Sequence, residues 1–475
     1  MTEPTFRQVV DSGCCVGCGA CEVATGGSVS VQLGPTRTYQ ADADVSLADS
    51  AIASSVCPFA DETVDETAIG ARHYPDLPED PRTGRYLAGY AGRNPDAALV
   101  PDSSSGGLTS YLLRSLLERG DVDGIIHVGE TGATGGSGDP IFAYVVSNDV
   151  DQLMARRKSQ YYPVSMNEVL REVRGDGRRY AFVGIPCVVT AVRHLMAQDA
   201  VLQEQLRFVV GIVCGHLKSI AYAESFAWQL GIAPNALEKV DFRVKDPERT
   251  SREYGFAAVD SDGNRAERKT LSLVGGSWGH AVFQLGACDF CDDIFAESAD
   301  VVFGDAWLSK YEIDWRGTNV VLTRDRYLDS ILTEARSTGA IELDDLTVDK
   351  VAETQGGNFR HRRDGLAVRL ADDQAAGRWT PRKRVQPDTT HLPDDRVALI
   401  RDRREITRES HVAFESARRA GDLGVYLDRM RPLIERYQSR TSMPFRTRLR
   451  NKLRRETWRL LSKLRTARSN RKASS

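Results

Sequence analysis

From about residue 95 to about residue 330, short continuous apolar runs alternate with stretches whose apolar residues recur every three to four positions. In "SSSGGLTSYLLRSLLERG", cap-type residues precede helically spaced leucines and a closing glycine, which predicts a helix. "DGIIHVG" reads as a buried strand and "IFAYVVS" as its antiparallel neighbour. The glycine-rich "GETGATGGSGDP" between them predicts a hairpin loop rather than a phosphate loop, because no helix follows to present its amides. "RRYAFVGIPC" is a strand running into a turn, "VVTAVRHLMAQ" a helix, "LRFVVGIVCGH" a strand ending in cysteine, and "ADVVFGDAWL" a strand ending in Gly-Asp. Strands alternating with helices predict an α/β (α+β) core whose functional residues sit at the carboxyl ends of strands.

Outside the core the pattern changes twice. Residues 1–72 hold five cysteines among many small residues, and residues 73–95, rich in Pro, Gly and charge, read as a linker. The core domain extends over 96–395, and 396–475 read as a charged helical tail. From Thr441 onward twelve Lys and Arg face one Glu, so a net charge of −3 conceals a tail of about +11 on a body of about −14. Phe445, Leu449, Leu453, Leu460 and Leu464 fall near one helical stripe of that tail. Such a helix suits an anionic membrane face or an acidic protein surface. Nucleic acid is not expected, since no binding module accompanies the charge.

Hydrophobic and charged contents of 41% and 27% are ordinary for a globular protein, and no apolar run reaches the roughly 18 residues of a spanning helix. The N-terminus has no secretory pattern, so a cytoplasmic protein is expected, with peripheral contact at the inner membrane face through the tail. In that compartment nine cysteines point to metal or redox chemistry rather than disulfides.

"GCCVGCGACEVA" offers two registers. From Cys14 it reads C-x3-C-x2-C, a radical-SAM spacing; from Cys15 it reads C-x2-C-x2-C, a ferredoxin spacing. Downstream, Cys57 is followed by Pro58, the signature of a ferredoxin's remote ligand, and Ala20 stands where a radical-SAM loop usually has an aromatic residue. The expected ligands of a [4Fe-4S] cluster are therefore Cys15, Cys18, Cys21 and Cys57, in a ferredoxin-like N-terminal domain, with Cys14 a neighbour and structural zinc the competing metal. Gly17 and Gly19 let the loop turn tightly.

Cys187 and Cys214 fall at strand ends that parallel pairing would bring together, and Cys288 and Cys291 form a C-x2-C pair in a polar turn. Four thiols is the right number for a second site, although buried packing explains Cys187 or Cys214 equally well. Ser104, Ser105, Gly106, Gly107 and Thr109 stand at a helix start, where amides and hydroxyls suit a pyrophosphate or simply cap the helix. Arg243 and Lys245 alternate along "DFRVKD" and share a face fit for phosphate, or are solvated edge charges. Asp305 ends a strand, as a ribose or ring-edge contact or as a cap for the next turn. His127, His216 and His280 are the histidines considered for proton transfer, and a lone histidine is more often structural.

In order along residues 13 to about 325, "CCVGCGAC", "CP", "SSSGGLTSYLL", "KSQYY", "FVGIPC", "GIVCGH", "FRVK", "CDFCDD" and "FGDAW" resemble the family of coenzyme F420 hydrogenase/dehydrogenase beta subunits, which includes 7-hydroxymethyl chlorophyll a reductase and polysaccharide-associated relatives. The resemblance implies FAD, a [4Fe-4S] cluster on Cys187, Cys214, Cys288 and Cys291, and a second cluster on the front set. It places Lys158, Ser159 and Tyr161 in a flavin-contacting loop, where relatives commonly read Gly-Ser-Lys-Tyr and this chain has Lys-Ser-Gln-Tyr. The expected function is an iron-sulfur flavoprotein oxidoreductase: FAD exchanges a hydride with reduced coenzyme F420 as co-substrate, or with an organic molecule, and the clusters connect it to a ferredoxin or partner redox subunit. The other reading is an electron-transfer subunit without its own substrate, serving a separate oxidoreductase or a polysaccharide-modifying enzyme.

Overall fold

A computed structural model describes residues 4–132 and 140–441. Its strands are β1 (Val31–Leu33), β2 (Tyr39–Ala41), β3 (Glu79–Asp80), β4 (Gly84–Arg85), β5 (Ala88–Arg93), β6 (Gly124–Glu130), β7 (Phe142–Ser147), β8 (Tyr180–Gly184), β9 (Leu206–Ile212), β10 (Leu237–Val244), β11 (Gly255–Asp260), β12 (Arg265–Lys269), β13 (Val301–Asp305), β14 (Asn319–Thr323) and β15 (Glu342–Leu346). Eight of them form one mixed sheet in the order β15-β5-β14-β13-β9-β8-β6-β7. Its middle, β6, β8, β9 and β13, is parallel, and antiparallel strands flank it on both sides.

Helices on both faces explain why β8 and β9 are apolar without alternation. The helix Leu108–Glu118 buries Leu108, Leu112, Leu113 and Leu116 on one stripe against β6 and β13 residues. Truncating one such leucine to alanine costs about 2–5 kcal/mol. The predicted pair β6–β7 is antiparallel as expected, while residues 133–139 of its loop lie outside the described residues.

Three boundaries differ from the sequence reading. Residues 88–93, read as part of a linker, are β5, bonded to β14 and β15 inside the main sheet. The glycines that resembled a linker permit close approach: a Cβ on Gly92 would lie 2.1 Å from the carbonyl oxygen of Glu342. Residues 394–441, read mostly as tail, form the helices Asp394–Ala420 and Leu423–Thr441, which bury Ile406, Phe414, Tyr426 and Met430 against the three-stranded sheet β10-β11-β12 and the helix Ala221–Gln229. The stripe Phe445 to Leu464 lies outside the described residues. Finally, Cys14, Val16, Cys18, Val56 and Phe59 belong to the same apolar core as Phe182, Val209 and Cys291, so the front segment is packed into the core domain. No helix among the described residues is long and apolar enough to cross a membrane.

Candidate functional site

Parallel strands deliver their carboxyl ends to one edge of the sheet, and three candidate residues arrive there from neighbouring strands. β8 ends at Gly184 and leads to Cys187, β9 ends at Ile212 and leads to Cys214, and β13 ends at Asp305 itself. Cys187 lies within the first turn of the helix Pro186–Gln198 rather than at the strand end proper, because Pro186 starts that helix at once. Cys288 and Cys291 come from the short turn Gly286–Asp289 and the residues just after it.

These four thiols line one small cavity with Val16, Phe59, Ile185, Pro186, Leu217 and Arg362. Burial pushes Cys214 up to about 12 and Cys291 up to about 11, and raises Cys187 and Cys288 as well. Four neighbouring thiolates in a dry cavity therefore need positive charge at their centre, which a cationic iron-sulfur core supplies. The donor set fits such a group. Among the described residues no three His, Cys, Asp or Glu side chains close on a single ion; a cubane spreads its thiolates over four irons and asks for wider spacing.

Arg362 was not legible in the sequence. It sits in the wide turn Arg360–Asp364, is 1% exposed, and donates through Nε to the Gly215 carbonyl at 2.8 Å and through Nη1 to the Cys291 carbonyl at 3.3 Å. Its Nη2 reaches the Cys214 carbonyl at 3.4 Å and the Cys214 Sγ at 3.9 Å. Leu217 N–H donates to Cys288 Sγ at 3.2 Å.

The front set is built on a glycine-shaped loop. Cys15, Cys18 and Cys21 span the stretch before and into the helix Ala20–Ala24, and Cys57 ends the helix Leu47–Val56. Gly17 and Gly19 have φ of +67° and +87°, and both lack room: a Cβ would lie 2.4 Å from Tyr39 Cβ at Gly17 and 2.8 Å from Asn167 N at Gly19. Cys21 is raised by burial and then by the charges of Cys18, Cys15 and Cys57, so these four are close enough to repel one another as thiolates. Burial also holds Cys18 at about 12 and raises Cys15 and Cys57. Cys14 points elsewhere: it is fully buried, burial pushes it up to about 12, and the charged groups acting on it are Asp289, Lys383 and Asp373.

The two sets adjoin. Val16, next to Cys15, and Phe59, two residues after Cys57, line the cavity of the other set, and the Gly13 carbonyl would meet a Cβ on Gly286 at 2.7 Å. Cys18 also figures among the charges that raise Cys187.

A second cavity opens among Ser104, Arg243, Lys245, Asp246, Thr250, Tyr254, Asp305 and Trp315. Arg243 Nη1 pairs with Asp305 Oδ2 at 2.9 Å, its guanidinium lies over the Tyr254 ring, and its buried Nε has no partner. Lys245 Nζ donates to the carbonyls of Ser105 at 2.8 Å and Arg316 at 2.6 Å, and burial, then Arg243, depress it to about 7. A buried Arg243 with an unused donor and a half-buried Lys245 fit an anionic group such as a flavin pyrophosphate.

Other predicted flavin contacts stand behind this cleft. Ser159 N–H donates to Ser104 Oγ at 2.8 Å, Lys158 is ion-paired to Asp241, and Tyr161 packs on Phe242 and Trp278. The helix start differs from the expected serine cap. Gly107, at φ +79°, is the N-cap without a side-chain bond, and Asn319 of β14 accepts from Leu108 N–H at 3.0 Å. Ser105 Oγ is turned to the Thr318 carbonyl, Gly106 is wedged against Gly92 and Asn319, and Thr109 stands one residue inside the helix. Among the histidines, His127 is tied to Ser147 in the sheet and burial lowers it to about 4; His216 stacks on Trp278, and His280 is also lowered to about 4.

The layout is that of an α/β protein with a four-thiol cavity and a cationic cleft at the carboxyl edge of its parallel strands. The chain belongs to the family of coenzyme F420 hydrogenase/dehydrogenase beta subunits: residues 89–171 match the N-terminal region of that family and residues 177–349 its C-terminal region. It is 22% identical to a subunit of the F420H2 dehydrogenase of Methanosarcina mazei, over 65% of this chain and 81% of that one. It is 24% identical to the coenzyme F420-dependent sulfite reductase of Methanocaldococcus jannaschii, over 64% of this chain and 44% of that one, so it spans less than half of that relative. A chain of the F420-reducing [NiFe] hydrogenase complex from Methanosarcina barkeri aligns with a TM-score of 0.47 at 16% identity, covering 66% of this chain and 100% of that one.

Proposed function

We propose that the chain is an iron-sulfur flavoprotein oxidoreductase that exchanges electrons between reduced coenzyme F420 and a one-electron partner, a ferredoxin or a companion redox subunit. The observation that carries the reading is the adjacency of two four-thiol sets in one packed unit, with a cationic cleft on the same sheet edge. In this reading Cys15, Cys18, Cys21 and Cys57 hold one [4Fe-4S] cluster in a ferredoxin-like loop, and Cys187, Cys214, Cys288 and Cys291 hold the other. FAD lies in the cleft of Ser104, Arg243, Lys245 and Asp305. When bound, flavin converts a two-electron hydride donor to the one-electron chemistry of the clusters.

The chain's own residues bind and orient. Arg243 and Lys245 neutralise phosphate, Asp305 fixes the Arg243 fork, and the Ser104–Ser159 bond ties the helix-start loop to the loop of Lys158 and Tyr161. One relative is by name a subunit of a larger dehydrogenase, and this supports a second reading, electron transfer in the service of a partner without a separate substrate. The basic segment beyond Thr441 would bind an acidic surface, lipid or protein.

The test is anaerobic purification with iron, sulfide, zinc and flavin quantified, and a spectrum before and after reduced coenzyme F420. About eight irons and one FAD, with bleaching on addition, is the expected result. Zinc without flavin would overturn the reading, and bleaching only in the presence of a co-purified partner would select the second one.

A further inference from the structure

Arg362 is a fully buried guanidinium whose hydrogen bonds, among the described residues, go to the carbonyls of Gly215, Cys214 and Cys291 and to the Cys214 sulfur. No carboxylate among the described residues forms an ion pair with it. A buried charge of that kind needs an anion, and the four core cysteines line the same cavity as the guanidinium, where thiolates holding a cluster would supply it.

Among the described residues the front set has no such counter-charge. Among the described residues no Lys or Arg side chain hydrogen-bonds a sulfur or carbonyl of the front cysteines, whose partners are backbone amides and the hydroxyls of Thr25 and Thr63. Residues 1–72 carry ten Asp and Glu against three Arg and no Lys, which deepens the contrast. At the core set, Asp289 and Asp292 oppose Arg362, but Asp289 is paired with Arg404 at 3.1 Å and Asp292 with Lys383 at 3.1 Å.

We propose that Arg362 sets the two cluster sites apart in reduction potential, making the Cys187, Cys214, Cys288 and Cys291 site the higher of the two. This rests on the two-cluster reading of function. Adding an electron makes either cluster more negative by one unit, and net charge and bonds to sulfur tune that cost. An amide reaches a sulfur at each site, Gly17 N–H to Cys15 Sγ at 3.4 Å and Leu217 N–H to Cys288 Sγ at 3.2 Å, so these dipoles do not separate the two. A full charge in a dry cavity outweighs such dipoles, since charge-assisted bonds are roughly twice as strong as neutral ones. One electron shared between the sites, with no proton or atom transferred, therefore resides on the core site.

The experiment is a dithionite titration with redox mediators, followed by electron paramagnetic resonance, on anaerobically purified full-length protein whose iron and sulfide have been counted. With eight irons, the core signal is expected to appear first, and Cys57→Ser identifies which signal belongs to the front site. Arg362→Gln is expected to lower the core potential by a factor of about ten in its reduction equilibrium, about 59 mV for a one-electron couple, and to leave the front potential in place. Arg362→Lys, which keeps the charge, is expected to restore most of the shift. A front site that reduces first, or a core potential indifferent to Arg362→Gln, would overturn the inference while the eight irons preserve the functional reading. Four irons in the unmodified protein would remove both. If Arg362→Gln does not fold, the order of reduction in the unmodified protein still decides.

Discussion

Met166 N–H donates to the carbonyl of Cys18 at 2.9 Å, so the cysteine loop of the front segment is bonded directly to the core domain. One residue on, Gly19 presses against Ser165 and Asn167, and its φ of +87° leaves it no alternative residue. Gly19→Ala combines left-handed strain of about 1–3 kcal/mol with that overlap. The expected outcome is loss of about four of eight irons, the core set keeping its own; retention of all eight by iron and sulfide assay would refute the role given to this contact.

The two cysteine registers separate cleanly by substitution. Cys15→Ala is expected to lose the front iron, whereas Cys14→Ala, at a thiol fully buried in the apolar core, keeps it and loses only a little packing. Iron content and the paramagnetic spectrum of the two variants check this, and equal loss in both would return the question to the C-x3-C-x2-C register.

Lys245 gives the cleft a pH dependence. Its pKa in the folded protein is about 7, far below that of an unfolded lysine, so it carries its charge below about pH 7 and loses it above. The affinity of the empty cleft for an anion is then expected to fall by up to about tenfold between about pH 6 and about pH 8, with the bound anion itself raising the lysine again. The same depression means that global stability gains from rising pH between about 7 and about 10, because the unfolded chain binds the extra proton there. Fluorescence titration with FAD over this range tests the first claim; Lys245→Met should be weaker and flat, and an unchanged slope in that variant would dismiss the lysine.

Asn319 is bonded on both sides, accepting from Leu108 N–H and donating to the Gly304 carbonyl at 3.1 Å. Asn319→Ala leaves both groups unpaired and is expected to cost about 1–3 kcal/mol in denaturant unfolding, with weaker FAD retention because the helix start shifts. A stability equal to the unmodified chain would mean that the loop caps itself.

The sequence made the strand ends readable because parallel neighbours must align their carboxyl edges, and Cys187, Cys214 and Asp305 all follow apolar runs of strand length. β5 escaped notice: "AGYAGR" has neither alternation nor bulk, and its pairing depends on strands more than 200 residues downstream. Arg362 escaped for a different reason. "NFRHRRDG" looks like a solvated charged face, and only the tertiary fold turns its second arginine inward. The cap at Leu108 was likewise supplied across the sheet, by Asn319, where local serines were the natural candidates.

β5 lies between β14 and β15, so the sheet cannot close until residue 346 has been synthesised. Cys15, Cys18, Cys21 and Cys57 leave the ribosome early, yet Arg362 follows Cys57 by more than 300 residues, and the wall that Val16 and Phe59 give to the four-thiol cavity waits for Cys288 and Cys291. Long-range closures of this kind are slow, and they leave partly folded chains with exposed thiols in the meantime. The order of translation thus places an interval of oxidative vulnerability on the nascent chain.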